Sequence, residues 1–70
     1  MDYDPAIISA YIDLCNEALR EQSKAAKSWP NPLILPEPEN RHERKAVDLF
    51  MDELNSATGA KVYVHFQRRR

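Results

Sequence analysis

The chain of 70 residues has one cysteine, one glycine, one tryptophan and no long apolar run, and each shortage removes a class of protein. With Cys15 alone, no disulfide can close within the chain. A structural zinc normally takes four Cys or His ligands at close spacing, and Cys15, His42 and His65 are scattered, so neither a metal nor a cofactor is expected. With Gly59 as the single glycine, there is no Gly-rich loop of the kind that cradles phosphates. No stretch approaches the roughly 20 apolar residues that cross a bilayer. The opening Met-Asp-Tyr-Asp-Pro is acidic where a secretory signal is basic. The expectation is a cytoplasmic protein that keeps off membranes and keeps its thiol reduced.

What the chain does have is charge, unevenly placed. Residues 1–60 hold 11 acids against 6 bases, while residues 61–70 hold 4 bases and no acid. A general nucleic-acid binder spreads basic residues along a whole face, so nucleic acid is the less favoured partner.

Asp4 before Pro5 has the form of an N-cap followed by a first helical residue, since Asp accepts from orphan amides and Pro lacks the amide that would go unpaired. A helix is predicted over about 5–28. Ile8, Ile12, Cys15, Leu19 and Ala26 fall at heptad spacing, with polar Gln22 in the remaining slot and Ile7, Tyr11, Leu14, Ala18 and Ala25 alongside. Trp29 precedes Pro30 and ends the helix. A Pro-rich joint, 29–38, follows. Within it Leu33, Ile34 and Leu35 form either a very short edge strand or a plug laid against the helices, and the flanking prolines favour the plug.

A second helix is predicted over about 39–58, beginning at Pro38 or at Asn40, where Asn40 and Glu43 have capping-box spacing. Val47, Phe50, Met51, Leu54 and Ala57 give its inward face, and Gly59 is a natural stop. From Lys61 to Phe66 the period changes: Val62, Val64 and Phe66 alternate with Tyr63 and His65, as in a strand over about 61–66. Gln67 and Arg68, Arg69 and Arg70 read as a solvated basic tail. The expected fold is mainly α with some β, in a single small domain.

A first helix of roughly 24 residues would be about 36 Å long, against a diameter of roughly 28 Å for a compact chain of this length. A lone strand, moreover, leaves its backbone unpaired unless Leu33–Leu35 or a second chain completes it. Both points favour a homodimer, with Ile8, Ile12, Cys15, Leu19, Val47, Phe50, Leu54, Val62 and Val64 as the core and dimer face.

No arrangement of Ser, His and Asp, or of Cys and His, has catalytic spacing, and an enzyme is not expected. Cys15 sits between Ile12 and Leu19 as a small hydrophobe. His65 reads as a half-exposed strand residue. Arg41, Arg44 and Lys45 around His42 are offset by Glu37, Glu39 and Glu43, and Asp48, Asp52 and Glu53 read as a solvated helix face. The favoured reading is a protein-binding module met through exposed aromatics (Tyr3, Tyr11, Trp29, Tyr63), with His65, Arg68, Arg69 and Arg70 beside them. The alternative is a DNA-binding regulator that pairs its strand as a β-ribbon and uses the arginines.

Two amphipathic helices, a proline-rich joint, one strand and an acidic body on some seventy residues resemble the small inhibitor proteins encoded by phages, including those that silence host quorum-sensing regulators. The resemblance lies in size and layout over the whole chain and rests on no diagnostic motif, so it carries over no site residue. It implies an inhibitor that docks on a host regulator or enzyme.

The apolar face of the first helix is testable directly. Leu19→Asp places a carboxylate on that face and is expected to cost several kcal/mol, on the order of 3 or more. Glu21→Ala, on the solvated side, should stay within about 0.5 kcal/mol. Equal melting temperatures for the two variants would show the face to be misplaced.

Overall fold

The computed structural model describes residues 2–26, 30–59 and 61–69. Four elements follow one another: α1 (Pro5–Ala26), β1 (Leu33–Pro36), α2 (Arg41–Thr58) and β2 (Val64–Gln67). The fold is mainly α, with a short sheet of two parallel strands. Parallel neighbours need a crossover, and α2 supplies it, so β1, α2 and β2 form a β-α-β unit preceded by α1.

The ends of the helices are set by local chemistry. Asp4 Oδ1 accepts from Ala6 N at 2.9 Å and α1 starts at Pro5, as the sequence implies. The start of α2 resolves in favour of Asn40, whose Oδ1 accepts from Glu43 N at 2.9 Å. Glu43 Oε1 in turn accepts from Glu39 N at 2.9 Å, so two amide donors at this end are satisfied reciprocally. Gly59 ends α2 with φ 69°, a left-handed conformation that costs glycine nothing, and its N–H donates to Asn55 O. Both helices set out from the same end of the molecule, where Asp4 N–H donates to His42 Nδ1 and the Arg41 guanidinium donates to Asp2 O.

The core consists of Tyr11 and Cys15 from α1, Leu33 and Leu35 from β1, and Ala46, Phe50 and Leu54 from α2. Ile8, Ile12, Leu19, Val47, Val62 and Val64 pack against it partly buried. Strand alternation sends Leu33 and Leu35 to the helices, and the register Leu33↔Val64, Leu35↔Phe66 puts Val64 and Phe66 on that same face.

Two expectations need correction. Leu33–Leu35 is not a plug but the body of β1, because the prolines fall where a strand needs no donor. Pro36 has its missing amide on the side away from β2, and Pro32, whose bond to Asn31 is cis, precedes the strand. The second strand runs over Val64–Gln67, not 61–66. Val62 N–H is taken by Asn55 Oδ1 at 3.0 Å, and pairing begins only where Leu33 N reaches Tyr63 O at 2.8 Å. Helix α1, with 22 residues, spans about 33 Å in a slab of 37 × 29 × 16 Å, so it is longer than two of the three dimensions. Trp29 lies outside the described residues.

The polar residue in the apolar stripe of α1 has a defined task. Gln22 Nε2 donates to Ile34 O at 2.7 Å, while its Oε1 accepts from Ile34 N at 2.9 Å. One side-chain amide thus stands in for a neighbouring strand on the side of β1 away from β2. Gln22→Ala leaves both groups of the Ile34 peptide unpaired in a partly buried setting and is expected to cost about 2 kcal/mol. Gln22→Leu should cost about as much despite its greater apolar bulk. Urea unfolding of the two variants checks this, and a Gln22→Leu protein as stable as the parent would show that the amide is only filling space.

Candidate functional site

A parallel strand sends the N–H and C=O of alternate residues to opposite sides. At the two ends of the ladder Leu33 N donates to Tyr63 O and Glu37 N to Gln67 O, so Leu33, Leu35 and Glu37 bond towards β2, while Ile34 and Pro36 turn away. Every polar group on that far side has an answer. Gln22 takes both groups of Ile34, Pro36 has no N–H to satisfy, and Pro36 O accepts from the Tyr11 hydroxyl. The outer edge of β1 is sealed by α1.

The same alternation sends His65 and Gln67 towards β1 and leaves the N–H and C=O of Val64 and Phe66 on the free side of β2. Among the described residues no partner reaches them. Beside this open edge the side chains are large and accessible: Tyr63 is 58% exposed, Phe66 is 41% exposed, and His65 is exposed on the sheet face opposite the helices. Lys61 Nζ lies 6.0 Å from the centre of the Tyr63 ring. Arg68 is exposed just beyond the strand. A strand whose backbone donors and acceptors face outwards between accessible aromatics is a surface onto which another extended segment can pair.

The residues singled out from sequence separate into different environments. Tyr63, His65 and Arg68 gather at β2. Tyr3 lies just before α1, edge-on to the His42 ring at 6.0 Å, with Arg41 and Lys45 over its face at 5.5 and 5.8 Å. Arg70, like Trp29, falls outside the described residues. Tyr11 is not an exposed aromatic: it is 1% exposed and belongs to the core, because only a side chain of its length carries a hydroxyl from α1 to the Pro36 carbonyl. Burial pushes that hydroxyl well above its ordinary pKa, with the neighbouring Cys15 adding to the effect. Cys15 is fully buried, and desolvation raises its thiol to about 11, so it stays protonated at neutral pH and is no nucleophile. The face formed by Ile12, Leu19, Phe50 and Leu54 is covered on the sheet side, while its outer side lines a groove of about 290 Å³ between the helices.

Arg69 is the second correction among these residues. It is not part of a solvated tail: Nη2 lies 2.6 Å from Glu43 Oε1 and Nη1 3.3 Å from Glu39 Oε1, and the guanidinium sits 5.6 Å from the centre of the Tyr11 ring. Desolvation works against its charge, but the hydrogen bond and charge of Glu43, with Glu39, outweigh it and raise the pKa. Nothing local in Arg68-Arg69-Arg70 distinguishes the middle arginine, since its partners are 26 and 30 residues away. Gln22, by contrast, did leave a signal, as a polar residue at a heptad slot of an apolar stripe.

No protein-family model matches this chain, and no curated protein or solved structure matches it either.

The two described arginines of the C-terminal run, Arg68 and Arg69, should therefore behave differently. Arg69→Ala removes two charge-assisted hydrogen bonds and a ring contact, and is expected to lower stability by about 1–3 kcal/mol. Arg68→Ala should stay within about 0.5 kcal/mol. Thermal melts of the two variants at matched pH and salt provide the comparison, and indistinguishable melts would mean that the Arg69 ion pairs contribute nothing.

Proposed function

We propose that this chain is a non-enzymatic protein-binding module, and that its working surface is the free edge of β2. The observation that carries the reading is the contrast between the two edges of one small sheet. Gln22, Tyr11 and Pro36 account for every outward group of β1, whereas Val64 and Phe66 of β2 are left with theirs available. Strand addition draws affinity from main-chain hydrogen bonds and specificity from the alternate side chains beside them. Tyr63 and Phe66 give that edge accessible aromatic surface of the kind enriched at the centre of interfaces. A seventy-residue chain that occupies an extended segment of a larger regulator or enzyme acts as its inhibitor. That agrees with the phage-type resemblance without depending on it.

The DNA-binding alternative draws less support. A β-ribbon reader presents a pair of strands with free cations, whereas here the strands are parallel, separated by α2, and Arg69 is spent on Glu39 and Glu43. The homodimer also has fewer reasons behind it. The strand is not alone, since β1 pairs with it.

The test exploits the alternation. Val64→Pro removes an N–H that faces away from β1, and proline is tolerated on edge strands when its nitrogen faces outwards. His65→Pro removes an N–H that faces β1 and should damage the sheet. Val64→Pro is expected to melt near the parent protein and, in affinity capture from lysate read by mass spectrometry, to lose the proteins that the parent retains. An unchanged set of captured proteins with folded Val64→Pro would remove β2 as the working surface. Nucleic acid as the captured species, bound with a steep salt dependence, would favour the alternative.

A further inference from the structure

We infer that the segment taken up by the β2 edge is an acidic extended strand of the partner, with carboxylates at both of its ends, and not a second copy of this chain. The inference rests on the strand-addition reading and deepens it by naming the chemistry of the occupant.

The argument is one of charge along the edge. Residues 61–69 contain Lys61, His65, Arg68 and Arg69 and no Asp or Glu. Arg69 is neutralised by Glu39 and Glu43, which lie on the other side of the ladder with β1 and α2. Lys61 and Arg68 therefore flank the open strand, one at each end, both exposed, and no acid of β2 answers them. Between the two cations the edge carries no fixed charge: Val64 and Phe66 lie on the helix-facing side, and Tyr63 and His65 on the other. An incoming strand with β-branched residues opposite Val64 and Phe66 gains cross-strand packing, and acids at its two ends meet Lys61 and Arg68.

A second copy meets the opposite situation. The closed arrangement that pairs the four free groups with one another is antiparallel about a two-fold axis, with Val64 facing Phe66 of the other copy. That register puts Lys61 of each copy one position from Arg68 of the other, so unanswered like charges converge at both ends of the pairing.

The experiment measures binding of two fluorescent synthetic peptides by polarisation at low salt. Both alternate valine and threonine; one has glutamates at its ends and the other lysines in the same places. The full-length protein is expected to bind the acidic peptide about tenfold more tightly than the basic one, with the preference shrinking as salt rises. Val64→Pro should abolish binding of the acidic peptide. The double variant Lys61→Glu, Arg68→Glu changes only exposed side chains, so it should fold normally and reverse the preference. Equal affinity for the two peptides, or a preference unmoved by the charge reversal, overturns the inference. So does sedimentation showing a dimer in the parent and a monomer in Val64→Pro, which would give the edge to a second copy. In these cases the protein-binding reading still stands if lysate capture depends on Val64. If capture does not depend on it, that reading fails on its own evidence.

Discussion

The contact on which the rest of the structure depends is the double hydrogen bond between the Gln22 amide and the Ile34 peptide group. It satisfies both backbone groups of the residue that β1 turns away from β2. That strand has one neighbour here, β2, and would otherwise turn an unsatisfied peptide group towards the body of the helix layer. With the amide in place, α1 lies against β1 as well as α2, and the seven core residues close into a single cluster. The Tyr11 hydroxyl repeats the device at Pro36, and Arg69 closes over the Tyr11 ring while bonding the cap of α2. One helix, two strands and the start of the second helix are thus joined by three polar side chains at the margin of an apolar core.

The same arrangement explains why the molecule has one finished side and one unfinished side. Helix α1 can seal only the strand it lies beside, and the crossover through α2 places β2 on the far side of β1. Proteins usually blunt a free edge with a charge, a proline, a bulge or a covering element. Here only the flanking charges Lys61 and Arg68 are present, and between them the backbone of Val64 and Phe66 stays accessible beside exposed aromatic rings. On the proposed reading, the flanking cations that discourage pairing with a copy of the same edge are also what selects an acidic strand to add there.

Much of the fold was legible in the sequence because it is governed by neighbours. Asp4 before Pro5, Asn40 three residues before Glu43, and Gly59 after the last apolar position of α2 set helix ends through contacts within one turn. The apolar spacing of both helices likewise follows from the helical period alone. Beyond that reach the reading failed where two elements had to be known together. The prolines around Leu33–Leu35 argue against a strand only if both its edges need donors, and Pro36 faces the side that does not. Tyr11 looks like one more aromatic on a helix flank until β1 brings a carbonyl within reach of its hydroxyl.

The two helices and their caps, a strand near residue 64, the buried character of Cys15 and the acidic body with its basic end could all be read along the chain, because each depends on residues a few positions apart. It took the folded arrangement to pair Leu33–Pro36 in parallel with Val64–Gln67, to close one edge with Gln22 and Tyr11, and to hold Arg69 on Glu39 and Glu43 while Arg68 stays exposed. The physical reason is that an edge is a property of pairing. Whether a backbone group is satisfied depends on which distant side chain arrives beside it, and local composition does not record that arrival.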